Sequence, residues 1–295
     1  MNTKDRTQEL MHDKDTNVVY FSALLKDKKY GHPDFYQRLT QILKDLHIEA
    51  KELNRTNDYW ARDYMPIQLG KNEFLRYHYY PDYLVNKDDI GTITDVKNVL
   101  LGMGIRCRST NLIIDGGNMV ICDPYIVMTD KIFTENRFNI GDPEFKLLLE
   151  SELGHPVIII PWQSHADDKF GHSDGFIKWC GGNRILMSNL GDDYPQEAED
   201  IKRKLENYGF EVTEMRFKDK VSTQPNVELN WAYINFLQVG NNIIMPIFKI
   251  EEDKIAYQFI QEAFPDCNIS QIEMKEIAQE GGALHCISWN VYLPQ

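Results

Sequence analysis

The chain has 295 residues, enough for one large domain or two smaller ones with a substantial core. Apolar residues make up 42% and charged residues 26%, an ordinary balance for a soluble globular protein. The net charge of −13 argues against nucleic acid as a partner, since phosphate binding needs a basic surface, and it suits attraction of a small cation.

The first sixteen residues, MNTKDRTQELMHDKDT, are polar and predict a frayed N-terminal segment without the apolar stretch of a secretion signal. No later run is long enough to span a bilayer, so a cytoplasmic protein with no membrane partner is expected. Val18–Phe21 reads as a short buried strand. From Pro33, apolar residues at helical spacing (Phe35, Leu39, Ile42 and Leu46) predict a helix, and HIEAKEL after it predicts a strand.

That order recurs. Strand-like runs around 65–80 precede a helix at about 93–103, ended by Gly104, and a strand IRCRS. Runs near 111–114 and 125–129 precede a helix from Asp142-Pro143, closed by Gly154, and the strand at Val157–Ile160. Runs at 175–180 and 184–188 precede a helix from about Pro195, closed by Gly209, and then FEVTEM. Runs at 232–238 and 242–247 precede a helix at about 252–264, stopped by Pro265, and then CNISQIEM. Glycine after a helix supplies the left-handed stop and proline suits a first turn.

Strand–strand–helix–strand therefore appears about five times, with helix starts roughly 50 to 60 residues apart. The fifth copy is split: ALHCISWNVYL at the C-terminus supplies its first strand, and Val18–Phe21, the first helix and HIEAKEL complete it. A doubly wound α/β sheet fits the alternation but accounts less well for paired strands before each helix. No linker or composition break divides the chain, so residues 17–295 read as a single domain.

Five stretches carry chemistry. In NDYWARDYMP (57–66), Asp63 can accept two parallel hydrogen bonds from a guanidinium and Trp60 can wall it; a local Arg62–Asp63 ion pair is the bland alternative. In IIDGGNMV (113–120), Asp115 ends an apolar strand, and a plain hairpin turn would read the same. In FGHSDGF (170–176), His172 and Asp174 share a side if the segment is extended, which would bring an imidazole and a carboxylate to one pocket. In ELNWAYINF (228–236), Asn235 is a polar group on an aromatic strand that needs partners. In GGALHCISWN, Cys286 follows a Gly-Gly bend, either as a nucleophile or as a small buried residue; on a strand, His285 would point to the opposite face.

The five cysteines at 107, 122, 180, 267 and 286 are dispersed without a CxxC pair, which predicts reduced thiols. His165, His172, Asp167, Asp168 and Asp174 lack recognised metal-ligand spacing, and no P-loop or GxGxxG follows a strand. Neither a metal nor an organic cofactor is expected.

With WARDYMP, DGG, GHSDG, AYINF and GGALHC in this order, the chain resembles the agmatine deiminase and Porphyromonas-type peptidylarginine deiminase family, from about residue 57 to 286. That family belongs to the guanidino-group-modifying, or pentein, superfamily. The resemblance implies a five-bladed α/β propeller of ββαβ units and hydrolysis of a guanidino group to a ureido group plus ammonia. It implies Cys286 as nucleophile, His172 as general acid and base, and Asp63 and Asp174 as the guanidinium clamp. It implies that Asn235 helps hold the site and that Asp115 supports the histidine, with Trp60 beside the substrate. Agmatine is the leading substrate. Arginine, for which Arg76 would hold the carboxylate, peptidyl-arginine, amidino transfer and non-catalytic guanidine binding are the alternatives. The partner is then a small cationic guanidino compound, and homo-oligomerisation stays open. Ala283 stands where the family usually has a third glycine, and Met65 where it usually has glycine before the proline.

Overall fold

Each predicted unit resolves into an antiparallel strand pair, a helical crossover and a third strand that returns parallel to the middle one. The computed structural model describes residues 9–162, 168–217 and 229–294. From the N-terminus, β1 (Val18–Ser22) leads through α1 (Pro33–Asp45) to β2 (Glu49–Leu53), and α2 (Ala61–Tyr64) is a single turn before the next sheet. The second sheet holds β3 (Ile67–Gly70), β4 (Glu73–His78) and, after α3 (Val96–Leu100), β5 (Cys107–Ile113). The third holds β6 (Val120–Cys122), β7 (Tyr125–Thr129) and β8 (Val157–Ile160), with α4 (Lys131–Glu135) and α5 (Pro143–Leu153) in the crossover. The fourth holds β9 (Ile177–Trp179), β10 (Arg184–Met187) and, after α6 (Pro195–Glu206), β11 (Glu211–Glu214). The fifth holds β12 (Leu237–Val239), β13 (Asn242–Ile247) and, after α7 (Glu252–Ala263), β14 (Asn268–Glu273). After the turn α8 (Lys275–Ala278), β15 (Ser288–Val291) returns to pair antiparallel with β1, Val18 opposite Val291.

Five sheets of three strands thus share one order, with the middle strand paired antiparallel on one side and parallel on the other. The sheet β15-β1-β2 is built from both ends of the chain. Helix α1 forms because Pro33 opens its first turn and Phe35, Leu39 and Leu43 recur every four residues on a buried face. Ile42 and Leu46, expected on that face, pack only partly against it. The Asp142 carboxylate caps α5 by accepting from the amides of Glu144 and Phe145 at 2.9 and 3.0 Å, and Gly154 ends it at φ 76°.

The structure corrects the sequence reading of the fold at several points. Residues 111–113 do not begin a new strand pair; they extend β5, and the first strand of the third sheet follows the Asp-Gly-Gly turn at Val120. Residues 230–234 form a 3₁₀ turn, so the strand of this sheet starts only at Leu237. The N-terminal segment is packed over its described part: Leu10, His12 and Thr16 are buried, and a 3₁₀ turn spans Asp13–Asp15. Its polar side chains find partners inside the molecule, Asp13 on Lys178 and Asn290, which outweighs the absence of an apolar pattern. Among the described residues, no helix is long and apolar enough to cross a membrane. All five cysteines are free thiols.

Trp289, on β15, is almost wholly buried, and its indole N–H donates to the carbonyl of Pro66 at 2.7 Å. That bond ties the last strand to the entry of β3. Trp289→Phe leaves the carbonyl without this donor, and urea denaturation is expected to show a loss of about 1–3 kcal/mol.

Candidate active site

Cys286 sits on a turn, not on the strand expected for ALHCISWN; β15 begins only at Ser288. The cause is Asn235. Its side-chain oxygen accepts the Cys286 amide at 3.2 Å and its backbone carbonyl accepts the His285 amide at 3.0 Å. The Arg62 amide in turn donates to the Cys286 carbonyl at 3.0 Å. Asn235, itself at the end of a 3₁₀ turn and not on a strand, therefore fixes the backbone that carries the sulfur. Gly282 lies flat against the Trp60 indole, where an added Cβ would fall 2.1 Å from the ring. Gly281, at φ 98°, makes the bend before it.

Asp63 is presented by the α2 turn, whose backbone is held by the Tyr77 hydroxyl donating to the Asp63 carbonyl at 2.7 Å. Arg62 does not pair with Asp63. Its guanidinium turns away to the Asn290 side-chain oxygen and the His285 carbonyl, so the local ion-pair reading fails. His172 lies between two carboxylates: Nε2 is 2.9 Å from Asp115 Oδ2 and Nδ1 is 3.6 Å from Asp63 Oδ1. Asp115 Oδ2 also accepts the Tyr83 hydroxyl at 3.0 Å. The Asp-Gly-Gly stretch is more than a hairpin turn: a Cβ on Gly117 would fall 2.6 Å from His172 Nδ1 and 2.7 Å from Asp63 Oδ1. The rings of Tyr83 and Phe170 flank the imidazole at 6.3 and 5.8 Å between centroids.

His172 and Asp174 do not share a face of one extended segment. His172 is extended but Asp174 lies in the following 3₁₀ turn, so the two side chains reach different partners. Asp174 Oδ2 meets His285 Nδ1 at 2.6 Å and the Cys286 sulfur at 4.0 Å. His285 is consequently a buried neighbour of Asp174, contrary to the expectation from a strand that it would face away from the site. Asp63, Asp115, Asp174, His172, Asn235 and Cys286 are thus brought together, with Trp60 against the Gly-Gly bend. Arg76 is not among them: it donates to Ser109 at 2.8 Å and lines a separate surface groove with Lys97 and Leu101. Of the acidic and histidine residues weighed for a metal, His165 and Asp167 lie outside the described residues. Asp168 accepts from the amides of Phe170 and Gly171 and from the Trp162 indole. Sequence reasoning missed Tyr83, Phe170 and the way in which Asn235, expected to help hold the site, clamps the cysteine turn. No motif marks Tyr83, whereas the polar Asn in an apolar run was the sign of the last.

Burial shapes the electrostatics. It pushes the Cys286 thiol well above its ordinary range, reinforced by Asp174 and Asp63. Burial opposes a charged His172, but Asp63, Asp115 and Asp174 overcome it and raise the imidazole to about 10. Burial and the repulsion of Asp115 and Asp174 raise Asp63 despite His172. Asp174 goes the other way: burial disfavours its charge, yet the His285 hydrogen bond and nearby cations hold it below the usual carboxylate range. Oδ1 of each of the three aspartates is buried without a hydrogen-bond partner.

A buried thiol, an imidazolium and three carboxylates on a five-sheet α/β framework define a class of site that combines a cysteine thiol with an anionic pocket. The chain belongs to the Porphyromonas-type peptidyl-arginine deiminase family, whose pattern it matches over residues 28–291. It is 24% identical over 313 residues to the agmatine deiminase of Ectopseudomonas mendocina, covering 88% of this chain and 81% of that one. It is also 24% identical over 304 residues to the agmatine deiminase of Pseudomonas aeruginosa, covering 86% and 79%. The solved C. jejuni agmatine deiminase superposes with a TM-score of 0.78 at 16% identity, covering 96% of each chain.

Protonated His172 is worth testing directly. Its value lies above the ordinary 6.5, so its contribution to stability is full below that pH and is lost as pH rises towards about 10. In Asp115→Asn the charge that favours imidazolium is removed, and the His172 titration followed by NMR is expected to fall by at least about one unit. Gly117→Ala is expected to displace His172 or Asp63 and to lower the same titration without loss of the circular dichroism of the fold.

Proposed function

We propose that the protein hydrolyses a guanidino group to a ureido group plus ammonia, with agmatine as substrate and N-carbamoylputrescine as product. The observation that carries this reading is the set of buried Oδ1 atoms without a hydrogen bond on Asp63, Asp115 and Asp174, Asp63 Oδ1 having only the His172 imidazolium at 3.6 Å, beside a thiol. Three carboxylates and one imidazolium leave a site that calls for a further cation, and a planar guanidinium meets carboxylates with paired N–H donors. Agmatine is favoured over arginine by the names of the relatives and by the arginines of this chain. Arg62 is engaged by Asn290 and His285, and Arg76 lies in another groove, so neither faces a substrate carboxylate.

Asp63 and Asp174 would hold the guanidinium, and Trp60 would wall it. The substrate cation lowers the thiol's pKa and displaces its proton to solvent. The Cys286 thiolate then attacks the guanidinium carbon to give a neutral tetrahedral adduct. Imidazolium His172 passes its proton to the departing nitrogen, which leaves as ammonia, and a thiouronium cation remains on the sulfur. Neutral His172 takes a proton from water as the oxygen adds. Collapse releases the thiolate and the ureido product, the remaining proton leaving with ammonia as ammonium. Every step uses groups already in the site: a nucleophile, one acid–base and an oriented electrophile.

We also infer that the five sheets stand as blades around a pseudo-fivefold axis within one domain over residues 17–295. The identical strand order of the sheets and the sheet shared by both chain ends support this arrangement.

The test is ammonia and ureido release from agmatine, arginine and arginine peptides. Agmatine is expected to be converted and Cys286→Ala to lose at least about a thousandfold in turnover. No release from any of these by the wild type, or equal release by Cys286→Ala, sinks the reading. With a raised thiol and His172 titrating at about 10, kcat/KM should climb on the alkaline side of neutrality and fall as His172 loses its proton.

A further inference from the structure

On the side of Asp174 away from His172, a second polar cluster closes against the site. His285 holds Asp174 Oδ2 through Nδ1 at 2.6 Å, while its Nε2 faces Asp13 Oδ2 at 3.7 Å. Asp13 is fixed in turn by the Lys178 ammonium at 2.6 Å and the Asn290 amide at 2.8 Å. His285 and Asp174 line a cavity of about 220 Å³ together with Asp13, Lys178 and Arg62, a cavity whose walls include neither Cys286 nor His172. The ring therefore stands between the Asp174 carboxylate and the packed N-terminal segment, both of which border this cavity. The His285 backbone is held as firmly, its amide donating to the Asn235 carbonyl at 3.0 Å and its carbonyl accepting from Ser288 Oγ at 3.0 Å.

We propose that His285 is a positioning residue for the guanidinium clamp: it fixes the rotamer of Asp174, and Asp13, held by Lys178 and Asn290, closes the space behind the ring's Nε2 edge by packing, without a hydrogen bond to it. The inference rests on the deimination reading for its substrate but not for its geometry. A carboxylate free to turn about its last torsion would offer the substrate a broad range of directions. With Oδ2 occupied by the imidazole N–H, Oδ1 is aimed and unpartnered. A neutral ring suffices, because Nδ1–H is the donor that Asp174 needs. Burial and the nearby Arg62 and Lys178 charges in fact lower His285 to about 4. This arrangement also gives the N-terminal turn, which contributes no group to the chemistry, a bearing on the site.

The test is calorimetric titration of agmatine into Cys286→Ala, and into the same protein carrying His285→Asn, His285→Gln, His285→Ala or Asp13→Ala. An Asn amide can reach the place of Nδ1 and a Gln amide extends towards that of Nε2. Affinity in His285→Asn is therefore expected to stay within about threefold, while His285→Gln and His285→Ala lose about tenfold or more. Asp13→Ala is expected to lose about threefold, because it loosens the ring without removing its donor. Should His285→Ala fail to fold, the Asn–Gln contrast decides. Equal affinity across the His285 series, or equal loss in Asn and Gln, overturns the positioning role. Unchanged affinity in Asp13→Ala overturns the part assigned to the N-terminal turn. Turnover measured beside binding separates the two readings. Agmatine bound in the expected order without ammonia from the wild type overturns deimination alone. Ammonia released while the His285 series binds equally overturns positioning alone. Agmatine bound by none overturns both.

Discussion

Negative charge on buried side chains is the constraint on which the rest of the site depends. Asp63 and Asp115 converge on the His172 imidazole and Asp174 on that of His285, and isolated carboxylates cannot be buried at neutral pH without partners. The molecule meets that cost unevenly. Asp115 has two donors on one oxygen, Tyr83 and His172. Asp174 has His285 and stays ionised, whereas Asp63 has only His172 at longer range and is pushed up. The same imbalance raises His172 and suppresses the Cys286 thiolate. Burial comes first for Asp63 and Cys286, and the excess of carboxylates over cations adds to it, leaving a site that favours further positive charge.

Holding such a site together falls to backbone geometry more than to side-chain pairing. Like charges push one another apart, so their carriers must be fixed from outside the pocket. Asp63 rides on a one-turn helix pinned by Tyr77, and Asp115 and Asp174 flank or enter short 3₁₀ turns. The cysteine turn hangs from Asn235. All of these turns lie just before the first strand of a sheet, at Ile67, Val120, Ile177, Leu237 and Ser288. The repeated unit explains this convergence: five equivalent chain positions each deliver a tight turn, and function is distributed over them. The glycines serve the same end. Gly117 lets His172 and Asp63 approach across bare backbone, and Gly282 lets Trp60 lie against the bend before Cys286.

The repeat was legible because hydrophobic runs, proline starts and glycine stops carry the local cost of each element. The boundary errors fall at Ile113, Ile234 and Ile287, where an apolar run spans both a strand and its adjoining turn. A strand and a buried turn are equally apolar there, and only the hydrogen bonds distinguish them: Asn235 side chain to Cys286 amide, or Asn136 side chain to Ile113 amide. Long-range side-chain-to-backbone bonds leave no periodic trace. Cys286, His172, Asp63 and Asp174 stood out as candidates because reactive residue types lay in short stretches punctuated by glycine, or in the case of Asp63 by Trp60 and Pro66, whereas Tyr83 and Asp13 lie in ordinary polar stretches whose partners are distant in sequence.

The misplaced strand at 284–287 also changes the meaning of the Gly-Gly-Ala-Leu-His-Cys stretch. Alternation on a strand would have sent the side chains of His285 and Cys286 to opposite faces, making one of them irrelevant. On a turn both reach the same carboxylate, one through a hydrogen bond of 2.6 Å and the other at 4.0 Å. Asp174 is then the joint between two groups: the Cys286 thiol on one side, and His285 with Asp13 and Lys178 on the other. Asp13 and His285 come from the two ends of the chain, which meet where β15 pairs with β1. Closure of that sheet therefore brings this support to Asp174 as well as completing the fold.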